Sequence, residues 1–252
     1  MRRQLKLYFG KAIPLNDKVS IRQPTVNEIV DMGDDVFSKL TLPFTINLEL
    51  IFDDNIDTSK LNIFELFFEE NKETGGYILD NVLGGNSIEL LVDSLSFFTG
   101  CDVENIRVLK NRRKIIIDDS YMIDKLSFID VKNIIQAVCV KSDIEIEKPP
   151  KKMNKRQRDI WEKLQEGRRR KAMRESVKME DMANYISFGG KSYIPMENIL
   201  SMTYYQFFNA YNSVLGKDAY ETGMAYKLSQ KYDVKDEIRH WTKTLKINSK
   251  LD

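Results

Sequence analysis

The chain of 252 residues contains few of the residues on which most enzymes and metal sites depend. Its one histidine, His240, excludes metal sites built from several histidines and allows a Ser-His-Asp triad only if His240 is the base. The two cysteines, Cys101 and Cys139, lie far apart in apolar surroundings, so we expect buried thiols and no disulfide framework. These shortages favour a non-enzymatic protein without a metal or other cofactor, although carboxylate and Mg²⁺ chemistry stay open.

Long apolar runs, glycine and proline are also scarce. No run of about 18 apolar residues occurs, so we expect no membrane-spanning helix and no membrane partner. The basic start of the chain, residues 1–6, has no apolar segment behind it and does not resemble a secretory signal. No Gly-x-x-x-x-Gly-Lys-Ser/Thr and no Gly-x-Gly-x-x-Gly motif is present, so no phosphate-binding loop is predicted.

Charge divides the chain into two parts. Residues 1–150 carry 18 Lys/Arg and 25 Asp/Glu, a net charge of −7, whereas residues 151–252 carry 21 and 13, a net charge of +8. The change falls near Pro149-Pro150, a pair that disfavours helix and stiffens the chain. We therefore predict a mixed α/β domain over residues 1–141, a linker over 142–153 and a helical domain over 154–252. The expected fold class is α+β, with short strands in the N-terminal domain only.

Local patterns predict the elements of the N-terminal part. Alternation of Leu5, Leu7 and Phe9 predicts a first strand, and Val19 with Ile21 predicts a second. Thr25 and Glu28 have the spacing of a capping box, which predicts a helix over 26–39. Further predictions are helices over 61–70, 87–98 and 127–140, and a hairpin of 106–110 with 114–118 that has a basic tip at 111–113.

The C-terminal part is predicted to be helical almost throughout. A long polar helix over 153–173 is followed by helices over 179–186, 196–202, 203–215, 218–230 and 236–245. The first of these contains most of a basic run, 148–178, with 13 Lys/Arg and 4 Asp/Glu. The predicted basic surface consists of Lys155, Arg156, Arg158, Lys163, Arg168, Arg169, Arg170 and Lys171.

Two interpretations of the basic run stay open. Such a density of cations over residues 151–171 could neutralise several phosphates of a nucleic acid. The interleaved Asp159, Glu162 and Glu166 favour instead a solvated helix that joins the domains or contacts an acidic protein surface.

Two further groups of residues were candidates for chemistry or binding. Asp118, Asp130 and Lys132 loosely resemble a metal-dependent nuclease pattern, but Asp130 and Lys132 fall at the start of a predicted helix and not on a strand. An aromatic stripe over 204–211 could line a partner-binding groove, whereas helical spacing of aromatics is also typical of a core. The predicted partner-binding residues are Tyr204, Phe207, Phe208, Tyr211 and Trp241.

Two blocks and a short terminal segment resemble a known family. Residues 23–37, with Pro24-Thr25-Val26 followed by Glu28-Ile29, resemble the opening of proteins encoded in tail gene clusters of tailed phages that infect Gram-positive bacteria. Residues 191–208 resemble the closing block of that family, and residues 238–241 resemble its terminal Trp-containing segment. Residues 40–140 are not matched, and the family brings no catalytic residues with it.

The resemblance implies a role in phage tail morphogenesis, most specifically that of a tail assembly chaperone. Such a protein would bind the tape-measure protein or tail tube subunits in the host bacterial cytoplasm, with self-association as a further expectation. The alternatives are a minor structural protein of the tail, neck or baseplate, which would remain in the virion, and a nucleic-acid-binding protein that uses residues 151–171.

Overall fold

The computed structural model has the predicted α+β architecture, with two small antiparallel sheets in the N-terminal part and helices in the C-terminal part. The structure describes residues 2–48, 52, 61–71, 75–144, 153–190, 193–229 and 238–244. Within these ranges, no helix is both long enough and apolar enough to cross a membrane.

Helices dominate the part of the chain that the structure describes. The first seven are α1 (Arg2–Tyr8), α2 (Val26–Met32), α3 (Asp34–Thr45), α4 (Ile63–Leu66), α5 (Asp80–Leu83), α6 (Ser87–Thr99) and α7 (Ser127–Val138). The following five are α8 (Lys155–Glu175), α9 (Met179–Phe188), α10 (Met196–Leu200), α11 (Tyr204–Leu228) and α12 (Trp241–Thr244). The strands are β1 (Ile13–Pro14), β2 (Ser20–Ile21), β3 (Ile106–Leu109), β4 (Lys114–Ile117) and β5 (Tyr121–Ile123).

The predicted first strand is wrong, because residues 5–9 belong largely to α1. Leu7 is fully buried, whereas Leu5 and Phe9 are exposed, so the alternating apolar residues do not share one buried face. The two strands of the first sheet come later, where Ile13 pairs with Ile21 and Pro14 with Ser20. The alternation of residues 5–9 was therefore a coincidence of composition within a short helix.

The helix predicted over 26–39 is divided in two by Gly33. Its start is confirmed, since the Thr25 side chain accepts from the Glu28 backbone N–H and the Glu28 carboxylate accepts from that of Thr25. Gly33 ends α2 with φ of 92°, a value that favours glycine, and α3 begins at the next residue. A Cβ at Gly33 would also lie 2.8 Å from a carboxylate oxygen of Asp35.

The predicted hairpin and the helices around it are confirmed. β3 pairs with β4 through Ile106–Ile117 and Leu109–Lys114, and β5 adds a third antiparallel strand that the patterns did not predict. α6 ends at Gly100, whose φ of 69° closes the helix in the left-handed conformation. α7 packs on α3, so that Phe128 stacks with Phe44 at a centroid distance of 6.0 Å. These elements enclose the larger hydrophobic core.

The C-terminal helices form a second, smaller core. It is built around Val26, Ile186, Ile199 and Phe207, so the N-terminal part contributes one of its buried residues. The hydroxyl of Tyr185 on α9 donates to the carboxylate of Asp218 on α11, which raises the pKa of Tyr185 to about 12. The helices predicted over 203–215 and 218–230 are one continuous helix, α11, as far as Leu228. Gly216 lies inside it without breaking it, and residue 230 is outside the described residues.

The two parts of the chain contact each other through a short pair of extended segments. Thr25 and Thr203 form an antiparallel bridge, flanked by hydrogen bonds from Tyr204 N to Pro24 O at 2.8 Å and from Val26 N to Met202 O at 2.9 Å. The blocks that carry the phage resemblance are therefore neighbours in space. Most of the linker predicted over 142–153 lies outside the described residues, and the domain division stays a prediction.

Candidate partner-binding surfaces

The aromatic stripe predicted to line a groove is divided between core and surface. Tyr204 and Phe207 are buried, Tyr204 in the larger core against Phe37 and Phe207 in the smaller core. Phe208 and Tyr211 are half-buried at the edge of the smaller core. In this conformation Tyr204 and Phe207 serve the interior of the chain and offer no contact surface to a partner. Which neighbours cover a helical aromatic face is a tertiary property that spacing alone does not determine.

Trp241 lies at the start of α12 and is half-buried. The adjacent His240 ring packs against the ring of Tyr220 on α11, with 5.0 Å between the ring centroids. His240 also lies within hydrogen-bonding distance, 2.9 Å, of the Thr242 hydroxyl. Through these contacts the lone histidine packs against α11. They place Trp241 where α12 meets the other C-terminal helices.

The predicted basic surface is an exposed helix, α8. Asn154 caps the N-terminus of this helix in a capping box with Gln157. A long run of good helix formers follows the cap. No side chain that the structure describes on this helix is buried, and all eight of the predicted basic residues are exposed. Nine of its 21 residues are Lys or Arg and four are Asp or Glu, a net charge of +5. α8 therefore contributes a strongly basic surface and almost nothing to either core.

The faces of α8 differ in chemistry. Ile160 and Leu164 are one turn apart on the same face, with 50% and 56% of their surface exposed. Asp159, Glu162 and Glu166 recur at spacings of three and four on another face, where Glu166 accepts from Nε of Arg170 at 2.8 Å. A depression of about 650 Å³ follows that acidic face and is lined by residues of α8 alone. An open depression on one helix cannot enclose a small-molecule substrate.

An exposed aromatic pair was not among the predicted site residues. Phe188 ends α9 and Tyr193 precedes α10, and their rings lie 5.4 Å apart with 64% and 63% of each residue exposed. Two hydrogen bonds hold the residues next to this pair together, since Ser187 Oγ donates to Ile194 O at 2.7 Å and the Ser187 carbonyl accepts from Ile194 N at 3.2 Å. The signal in the sequence is the pair of aromatics on either side of residues 189–192, a segment that contains Gly189-Gly190.

Of the three residues considered for metal-dependent chemistry, Asp130 and Lys132 are engaged in ion pairs. Asp130 accepts two hydrogen bonds from the Arg3 guanidinium, at 2.6 and 2.9 Å, and Lys132 pairs with Asp143 at 2.7 Å. Asp118 lies in the left-handed turn after β4. Among the described residues, no group of three or more His, Cys, Asp or Glu side chains could hold a metal ion. The arrangement does not form the ligand set that the nuclease pattern requires.

The two thiols are not arranged for nucleophilic chemistry. Both cysteines are free, and Cys139 is buried while Cys101 is half-buried. Burial raises the pKa of each thiol above its ordinary value, so both are protonated at neutral pH and poorly reactive. Burial also lowers the pKa of the Lys141 ammonium, which donates to the Thr41 hydroxyl at 2.7 Å over the ring of Phe37. That lysine joins the segment after α7 to α3.

Comparison with known proteins connects the C-terminal part with phages. Residues 170–246 match a family described as the YomV second domain, which is a phage-derived family. The matched range begins inside α8 and contains α9, α10, α11 and α12, together with the Phe188–Tyr193 pair. No curated protein and no solved structure matches the chain. The match supports the phage part of the resemblance and leaves the particular role in the phage open.

Proposed function

We propose that the chain is a non-enzymatic bacteriophage tail morphogenesis protein that acts as a tail assembly chaperone. It would bind the tape-measure protein or tail tube subunits in the host cytoplasm before the tail polymerises. The phage-derived match over residues 170–246 supports the viral assignment, and the resemblance of residues 23–37 and 191–208 to tail-cluster proteins supports the tail. The bridge between Thr25 and Thr203 brings those two blocks together in one structural unit.

The observation that carries the proposal is the exposure of α8. A helix of 21 residues with no buried side chain among those described adds little to the stability of the fold, because packing of an apolar face is what stabilises most helices. Its net charge of +5 and its two exposed apolar side chains, Ile160 and Leu164, are then presented to the solvent. A binding protein needs such a surface and does not need an enclosed active site.

The chemistry of the expected client agrees with this surface. A tape-measure protein is a long, largely helical and partly apolar chain, and such chains aggregate when their apolar faces are uncovered. A helix with an apolar face can cover the apolar face of another helix. The Phe188–Tyr193 pair provides a second exposed apolar element within the phage-matched range.

Affinity purification from cells that express the whole tail gene cluster tests the proposal. We expect mass spectrometry of the eluate to identify a tape-measure or tube protein, and nuclease treatment to leave the amount of that protein unchanged. Finished virions that lack this chain would support a chaperone over the minor structural protein of the tail, neck or baseplate. Recovery of no tail component would overturn the assembly role. Phe207 is unsuitable for variants in this assay, because it is buried and its loss would unfold the smaller core.

The density of cations on α8 favours one second candidate, a nucleic-acid-binding protein. If these cations neutralise several phosphates, the affinity for nucleic acid falls steeply as the salt concentration rises. Replacing Arg168, Arg169 and Arg170 by Ala should then reduce both the affinity and its salt dependence, measured by the mobility of labelled DNA and RNA duplexes. If addition of the parent chain at low salt leaves the mobility of both nucleic acids unchanged, this candidate is excluded.

A further inference from the structure

The exposed apolar pair on α8 lies in a row that basic residues extend in both directions. Arg156, Ile160, Leu164 and Arg168 follow one another at intervals of four, so they lie along one side of the helix. Ile160 and Leu164 keep about half of their surface exposed. Apolar side chains in the middle of a row with guanidinium groups at its ends form a mixed surface, which suits a partner with the complementary pattern.

Continuing from the proposed function, on which this inference rests, we propose that α8 binds an acidic amphipathic helix of the client protein. Ile160 and Leu164 would lie at the centre of the interface, against apolar side chains of the client helix. Lys and Arg side chains at the edge, Arg156 among them, would face its carboxylates. The helix of 21 residues is about 32 Å long, which gives room for about three heptads of a partner helix.

The sign of the partner's charge follows from that of α8. With nine cations against four carboxylates, α8 attracts an acidic partner and repels a basic one. Asp159, Glu162 and Glu166 share a face that does not contain Ile160 and Leu164, and one of the cations, Arg170, is already paired there with Glu166. The net charge of +5 on α8 therefore sets the sign of the field around the apolar pair.

The same features favour a protein helix over a nucleic acid. A phosphate backbone has no apolar face for Ile160 and Leu164, and a helix inserted in a groove would bring Asp159, Glu162 and Glu166 toward phosphates on its other side. A single-sided contact with another helix leaves those carboxylates in water. Both the apolar pair and the segregation of acidic residues are then accounted for.

The test measures binding of the full chain to a fluorescein-labelled 21-residue peptide by fluorescence anisotropy at low salt. The peptide carries Leu at positions i, i+3, i+4 and i+7 of each pair of turns and Glu at the flanking positions. Two controls are a peptide of the same composition with the Leu spacing scrambled and a peptide with Lys in place of Glu. We expect binding of the first peptide and at least about tenfold weaker binding of both controls, a difference of about 1.4 kcal/mol.

Variants on α8 locate the contact. Ile160→Gln with Leu164→Gln keeps good helix formers and removes the apolar pair, and Arg156→Glu reverses one edge charge. Each should weaken peptide binding about tenfold or more. Arg112→Glu makes the same charge change at the exposed tip between β3 and β4. This control should leave the affinity for the peptide within about twofold of that of the parent chain. Circular dichroism of each variant should match the parent chain, because α8 has no buried side chain among those described.

Four outcomes would overturn the inference. Equal binding of the scrambled peptide would show that charge alone acts, and equal binding by the Ile160→Gln, Leu164→Gln variant would place the site elsewhere. Binding of a DNA duplex that displaces the peptide and is unaffected by that double variant would make α8 a phosphate-binding surface. If the double variant still recovers a tail protein in the affinity purification, the proposed function stands and only the assignment of the site to α8 fails.

Discussion

The hydroxyl of Thr203 donates a hydrogen bond to the side-chain oxygen of Gln23, 180 positions earlier in the chain, at 3.3 Å. Both residues are buried, and Gln23 also donates through Nε2 to the carbonyls of Lys6 and Lys11, at 3.1 and 2.9 Å. One amide thus joins the end of α1, the loop after it and the start of α11. This contact lies beside the Thr25–Thr203 bridge and makes Gln23 the polar centre of the junction between the two parts.

Gln23→Ala should destabilise the fold by about 1–3 kcal/mol, because the Lys11 carbonyl and the buried Thr203 hydroxyl lose their hydrogen bonds to this amide, whereas the Lys6 carbonyl still accepts from the Lys11 N–H. Urea unfolding at neutral pH, followed by circular dichroism, measures the change. Asn111→Ala removes an amide of similar size from the exposed tip between β3 and β4 and should change the free energy by less than about 0.5 kcal/mol. Equal unfolding midpoints for the two variants would contradict the role given to Gln23.

Two glycine substitutions should have opposite effects on stability. Gly10 has φ of 67°, and a Cβ there would lie 3.1 Å from Cγ2 of Thr203, so Gly10→Ala should cost about 1–2 kcal/mol. Gly216 lies inside α11 with open space where a Cβ would be, so Gly216→Ala should stabilise by up to about 1 kcal/mol. Thermal unfolding of both variants tests this pair. A change of the melting temperature with the same sign in both variants would contradict the packing at one of the two sites.

The elements that the sequence predicted well carry their signals locally. Thr25 with Glu28, the closing Gly100 of α6 and the basic tip between β3 and β4 are each determined within a few residues. The long basic helix was likewise predicted within two residues at each end. Capping, turn chemistry and helix propensity act over such distances, so one sequence suffices to find them.

The properties that the sequence did not determine depend on neighbours distant along the chain. Spacing showed that α11 has an aromatic face, but it did not show that α2 and α9 cover Phe207 or that α3 covers Tyr204. For the same reason the sequence does not identify Phe188 and Tyr193 as an exposed pair, since nothing local distinguishes them from a buried pair. A pattern identifies an apolar face and leaves open what lies against it.

The acid stability of the fold should depend on Glu28. Burial by itself raises the pKa of this carboxyl, but hydrogen bonds from the Thr25 backbone and the Arg22 guanidinium lower it below its ordinary value of 4.5. A folded-state pKa below the unfolded one stabilises the fold above pH 4.5, and this contribution is lost as the pH falls through the folded value.

Glu28→Gln should therefore cost about 1 kcal/mol at pH 7, a figure already reduced because the side chain is more than a third exposed. The difference from the parent chain should shrink as the pH falls from 5 to about 3, since the parent loses the carboxylate over the same interval. Urea unfolding of both chains at four or five pH values measures it. A difference that stays constant down to pH 3 would show that the charge of Glu28 makes no contribution.

Limited digestion with trypsin should cut the native chain first within α8. Cleavage requires local unfolding, which costs little in a helix with no buried side chain among those described, and α8 offers nine Lys or Arg residues.

The products of this cleavage should nevertheless elute together in size-exclusion chromatography. The bridge of Thr25 with Thr203, the hydrogen bond of Gln23 and the shared core around Val26 and Phe207 join the two sides of the cut. Denaturing electrophoresis of the eluted peak, with mass spectrometry of the fragments, identifies the cuts. Separate elution of the fragments would show that these contacts are too weak to join the two parts without the covalent chain. First cuts outside 155–174 would show that α8 is protected by contacts other than burial of its described side chains.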